Sequence, residues 1–239
     1  MNLQLLSLTG ADDRVLPQVL HKLSKRFNFV EWALLYSLEK EGKPRNPTAA
    51  WRESLLQYKG INVAAHLCGQ AVFKEILDEV TRGKRIADLT RYGRVQLNIN
   101  ARNCDFTDAE VLTVYRVLHQ AGLTLILQRH EGSQCVIDTF IEELDSDGYA
   151  KVDVLFDGSK GKGVRPTDWP SPLMFGEAPV FCGYAGGLGP DVLPDEFSRI
   201  MAAAGDGPFW IDMESGVRTG NEFDLYKVHN VLEYCAGKL

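Results

Sequence analysis

Two glycine-bearing turns near the C-terminus are the residues best suited to hold an anion. Gly183-Tyr184-Ala185-Gly186-Gly187-Leu188-Gly189-Pro190 and Glu214-Ser215-Gly216-Val217 each follow an apolar run. Backbone without side chains approaches an anion closely, and a short extra helix after the second turn would aim free N–H groups at it. The ligand such a pair suits is a phosphate monoester. Asp157 ends another apolar run, 152–156. A carboxyl beside a low-dielectric surface holds its proton more tightly and can act as a general acid. Gly158-Ser159-Lys160-Gly161-Lys162-Gly163 follows directly, a loop whose backbone N–H groups or lysines can reach the same anion. The five cysteines, Cys68, Cys104, Cys135, Cys182 and Cys235, are scattered. No group of His, Cys, Asp and Glu has metal-ligand spacing, so no metal is expected.

These residues have to be brought together by elements far apart in the chain. Short apolar runs alternate with helical patterns from end to end, the rhythm of βα units over a parallel sheet. Strands are expected at 3–8, 29–37, 62–67, 94–98, 124–128, 152–156, 179–183 and 209–213. Helices are expected between them, with Val15, Leu16, Val19, Leu20, Leu23 and Phe27 at helical spacing in the first. Thr48 reads as an N-cap, Val72, Ile76, Leu77 and Val80 mark a third helix, and Thr107-Asp108-Ala109-Glu110 fits a capping box. The stretch 158–176 is rich in Gly, Pro and Ser and holds little helix. Eight strands in 239 residues fit one closed (β/α)8 TIM barrel spanning residues 1–239. Thr9-Gly10-Ala11-Asp12 lacks the glycine fingerprint of an open dinucleotide-binding sheet.

A barrel's chemistry comes from the carboxyl ends of its strands. That rule nominates Ser7, Thr9, His66, Cys68, Asn98, Asn100, Gln128, His130, Asp157, Gly186, Gly187, Glu214 and Ser215. A phosphate site after strands seven and eight recurs among such barrels, and both glycine turns stand there. A net charge of −6 argues against a nucleic-acid groove. No apolar run reaches the ~20 residues of a membrane span, and the N-terminus lacks a basic leader. The expectation is a cytoplasmic protein with a small phosphorylated ligand. Oligomeric state is not legible.

The pattern resembles the phosphoribosylanthranilate isomerase family, over most of the chain and most strongly from residue 152 onward. Ala185-Gly186-Gly187-Leu188-Gly189-Pro190-Asp191-Val192 is similar to that family's strand-seven phosphate loop, and Ile211-Asp212-Met213-Glu214-Ser215-Gly216-Val217 to its strand-eight segment. Leu155-Phe156-Asp157 resembles the strand carrying its general acid, and Gly161-Lys162-Gly163 with Asp168-Trp169 resembles its following loop. Lys43-Pro44-Arg45 is similar to the stretch whose arginine meets the substrate's carboxylate. The resemblance implies a TIM barrel and a cofactor-free Amadori rearrangement, aldose to ketose, of a phosphoribosyl amine. Asp157 would be the acid, Arg45 the carboxylate anchor, and Gly161, Gly163, Gly186, Gly187, Ser215 and Gly216 further substrate contacts.

The family's base is a cysteine at the end of strand one. Gln4-Leu5-Leu6-Ser7 is the matching stretch, and Leu6 stands where the thiol belongs. The segment after strand four departs as well, reading Gln96-Leu97-Asn98-Ile99. An isomerase of this kind therefore needs a substitute base, with Cys68, His66 or Ser7 as candidates. The alternative is a non-catalytic phosphosugar-binding barrel, and a weaker one is a Schiff-base aldolase using Lys160.

Overall fold

The computed structural model describes residues 2–78, 84–98, 106–144, 150–159 and 162–239. Eight parallel strands form β1 (Leu3–Thr9), β2 (Val30–Tyr36), β3 (Asn62–Cys68), β4 (Arg94–Asn98), β5 (Leu125–Arg129), β6 (Val152–Phe156), β7 (Cys182–Tyr184) and β8 (Phe209–Met213). Each pairs with the next, and β8 returns to β1, closing the barrel. The helices are α1 (Pro17–Arg26), α2 (Ala49–Leu56), α3 (Gln70–Asp78), α4 (Lys84–Leu89), α5 (Asp108–Gln120), α6 (Gln134–Glu142), α7 (Leu193–Ala204) and α8 (Leu225–Ala236).

Local chemistry explains the helix starts. Thr48 Oγ1 accepts from the Trp51 N–H at 3.2 Å, and Thr107 with Glu110 makes the reciprocal capping box. Val80 and Asn100 lie outside the described residues. Strand seven begins three residues later than the expected 179–183. Pro179 has no N–H to give a ladder, and it pairs instead with Met174 in a short antiparallel hairpin ahead of β7.

Strand alternation divides the molecule into two apolar layers. Leu6, Leu8, Val30, Trp32, Leu34 and Val63 belong to the large cluster between sheet and helices. Ala33, Ala64, Ile126, Leu155, Ala185 and Trp210 form a separate cluster inside the barrel. Below it, at the amino-terminal end of the strands, lies a buried charged layer. Arg94 donates through Nε and Nη2 to Glu31 at 2.9 and 2.6 Å and through Nη1 to Asp153 at 2.8 Å. Its guanidinium stacks 4.2 Å from the Trp210 ring centre. Burial works to raise the Glu31 pKa, but Arg94 outweighs it and holds the carboxyl below its ordinary value. For Asp153 burial dominates and the shift is upward. No helix among the described residues is long and apolar enough to cross a membrane.

Candidate functional site at the carboxyl end of the barrel

Three loops meet where β6, β7 and β8 end. Gly187 has φ +60°, a conformation that favours glycine, and a Cβ there would lie 2.8 Å from the Gly163 carbonyl oxygen. The β7 loop is pressed still more closely onto the β8 turn. A Cβ on Gly216 would stand 1.9 Å from the Leu188 carbonyl oxygen and 2.8 Å from the Gly189 Cα. The loop after β6 is held from outside by Trp169, whose Nε1 donates to Glu196 of α7 at 2.8 Å. Trp169 also meets Tyr184 of β7 edge-to-face, with ring centres 5.8 Å apart.

The three loops enclose a small cleft of about 50 Å³, lined by Asp157, Ser159, Gly163, Gly186, Gly187, Asp212, Glu214, Ser215 and Gly216 among others. Six of the expected site residues therefore converge: Asp157, Gly163, Gly186, Gly187, Ser215 and Gly216. Gly161, like Lys160, lies outside the described residues. Arg45 comes to the rim rather than the cleft wall. Its Nη1 donates to Glu214 Oε1 at 2.8 Å, and its backbone N–H donates to Asp12 Oδ2 at 2.7 Å. Arg45 itself has φ +75°.

Three carboxyls line this cleft, those of Glu214, Asp157 and Asp212. Asp157 Oδ2 accepts from Gln128 Nε2 at 2.8 Å, and its Oδ1 accepts from the Ser159 hydroxyl at 2.6 Å and the Ser159 N–H at 3.1 Å. Asp212 is buried, and its Oδ1 accepts from Thr9 Oγ1 at 2.7 Å. Loss of water pushes the Asp212 pKa up to about 8, with the Thr9 hydrogen bond opposing the rise and the charges of Glu214 and Asp157 adding to it. Asp212 therefore keeps its proton at neutral pH, the property a general acid needs.

Asp212 was not among the strand-end residues nominated from the sequence. It stands two residues before Glu214, which was, so strand alternation puts both on the inner face. That parity was the available signal.

Leu6 requires a correction. It was expected to occupy the mouth-facing catalytic position of strand one, but it is fully buried in the outer cluster. The inward side chains of β1 are Leu5, which packs on the inner cluster, and Ser7 and Thr9, whose hydroxyls bond Glu31 and Asp212. Among the substitute bases considered, Ser7 is thus tied to the charged layer. Burial pushes the His66 pKa down to about 4, and its Nε2 has no hydrogen-bond partner. Cys68 stands at the end of β3, accepting from Asn98 Nδ2 at 3.1 Å. His130 Nδ1 accepts from the Gly132 N–H at 3.0 Å, a local turn contact. Among the described residues no group of three or more His, Cys, Asp or Glu is arranged to hold a metal ion.

Strand order and site together define an eight-stranded βα barrel with its candidate site at the carboxyl end. No protein-family model matches the chain, and no curated protein does. Solved structures match in fold. A phospho-2-dehydro-3-deoxyheptonate aldolase (DAHP synthase) from Thermotoga maritima is 13% identical with a TM-score of 0.56, over 99% of this chain and 69% of that one. A GH18 chitinase from Pseudoalteromonas aurantia is 10% identical with a TM-score of 0.52, over 94% of this chain and 99% of that one. Both are TIM-barrel proteins, and at these identities the likeness establishes the barrel alone.

Proposed function

We propose that this barrel is an acid–base isomerase of a phosphorylated sugar, turning a phosphoribosyl amine into the corresponding aminodeoxyribulose phosphate, as phosphoribosylanthranilate isomerases do. The observation that carries the reading is the convergence of three glycine-bearing loops and three carboxyls, Asp157, Asp212 and the Arg45-paired Glu214, on one cleft. The loops supply backbone where a phosphate would sit. Asp212 supplies a proton, and Asp157 supplies acceptor oxygens held in place by Gln128 and Ser159.

The work divides differently from the expectation of Asp157 as the acid. Asp212, which keeps its proton, gives it to the ring oxygen, and the sugar opens to an iminium ion. Asp157, already oriented as a hydrogen-bond acceptor by Gln128 and Ser159, takes the proton from C2, leaving an enolamine. Proton return to C1 and loss of the C2 hydroxyl proton give the ketose, with no net gain or loss of atoms. The usual cysteine base stays absent, since the inward side chains of β1 are Leu5, Ser7 and Thr9, and Asp157 takes its place.

The test is conversion of phosphoribosyl arylamines, formed in situ from ribose 5-phosphate and aniline or 2-aminobenzoate, to the ketose product. Ketose formation above the uncatalysed rate is expected. Saturable binding of ribose 5-phosphate with no ketose from either amine would overturn the isomerase in favour of a binding barrel.

A further inference from the structure

The rim of the cleft carries a self-compensated set of charges. Arg45 pairs with Glu214 at 2.8 Å, and Arg218 stands 3.6 Å from Asp12. Asp12 also holds the Arg45 backbone N–H, so the two pairs form one unit of two cations and two anions. Arg218 is buried and further occupied by the Gly10 carbonyl oxygen at 2.6 Å. Arg45 is half-exposed, the nearer of the two to solvent, and the one whose guanidinium points to a cleft residue.

Glu214 already holds Arg45 through Nη1, so an incoming carboxylate would have to share that one positive charge with it. The set of two cations and two anions is already balanced, so a carboxylate leaves one negative charge in excess in a part-buried site, where an uncompensated charge is costly. A neutral or hydrogen-bond-donating group meets no such penalty and finds an acceptor on Glu214.

We propose that Glu214 is a specificity-determining residue that occupies Arg45, so that the group attached to the phosphorylated sugar carries no carboxylate. The inference rests on the sugar-phosphate reading of the cleft, and it replaces the expectation of Arg45 as a carboxylate anchor with the opposite selectivity.

The experiment uses two stable reductive-amination adducts of ribose 5-phosphate, one with aniline and one with 2-aminobenzoate, which differ only in the ring carboxylate. Their Kd values are measured by calorimetry with the wild-type chain, Glu214→Gln, and the double variant Glu214→Gln/Arg45→Gln. The wild type should bind the aniline adduct more tightly. Glu214→Gln should move the ratio of the two Kd values about tenfold toward the 2-aminobenzoate adduct, the size of one specific contact. In the double variant that shift should vanish. Tighter wild-type binding of the 2-aminobenzoate adduct, an unmoved ratio in Glu214→Gln, or a shift that survives in the double variant would each overturn the proposal while leaving the sugar-phosphate cleft standing. If neither adduct nor ribose 5-phosphate binds, the cleft reading itself falls and this inference falls with it.

Discussion

Replacing Gly216 by Ala strikes the contact on which the proposed cradle depends. The new methyl group would be placed 1.9 Å from the Leu188 carbonyl oxygen and 2.8 Å from Leu188 C and Gly189 Cα. All three atoms are backbone, so no side chain can swing away and the β7 and β8 loops have to separate. Overpacking of this kind costs about 1–3 kcal/mol. Spent on stability, that lowers Tm by about 2–12 °C in a chain of this size. Spent on the cradle, it weakens ribose 5-phosphate by about 5- to 150-fold, since each 1.4 kcal/mol is about tenfold in Kd. Titration calorimetry with ribose 5-phosphate, read beside a thermal melt, separates the two. Gly237→Ala is the control, because its nearest atoms are 3.6 Å away and its φ of −72° suits alanine. Unchanged ribose 5-phosphate affinity in Gly216→Ala, with Tm lowered, would refute the placement of the phosphate between these loops.

Three further outcomes follow from the same geometry. Because Asp212 must be protonated to act as the acid, kcat/KM should fall as pH rises through about 8, and the fall should be absent from the residual activity of Asp212→Asn. The same residue sets a stability trend. Its pKa is raised on folding from 3.8 to about 8, so the folded chain binds the extra proton and loses stability as pH climbs across that window. Urea melts at pH 5 and pH 8.5 should show Asp212→Asn gaining on the wild type at the higher pH, and an equal difference at both would contradict the buried, protonated carboxyl. In the charged layer, Arg94→Met leaves Glu31 and Asp153 buried without their cation, a loss of about 3–5 kcal/mol in chemical unfolding; a loss under about 1 kcal/mol would show the layer to be hydrated.

The barrel was legible because its two periodicities are local. Runs such as 152–156 and 209–213 carry their strand character in themselves, and the glycines of the β7 and β8 turns mark the mouth without reference to anything else. What the sequence did not yield depends on facing and on pairing across distance. Whether Leu6 or Ser7 points into the barrel turns on a single step along the strand, and one step reverses the side. The pairing of Arg45 with Glu214 spans 169 positions, and the layer of Glu31, Arg94 and Asp153 draws on three strands. None of these has a local signature. Asp212 lay within reach through alternation, but its raised pKa comes from burial that only the closed barrel creates.

The most direct test of the account is turnover of the aniline-derived phosphoribosyl amine by the wild type and by Asp157→Asn, with ribose 5-phosphate affinity measured on both. The account predicts ketose formation that drops about 10²–10⁴-fold in the variant, the usual contribution of a positioned acid or base, while ribose 5-phosphate still binds. Equal turnover by the two proteins would contradict it, because a cleft whose chemistry is indifferent to Asp157 is not the acid–base site described here.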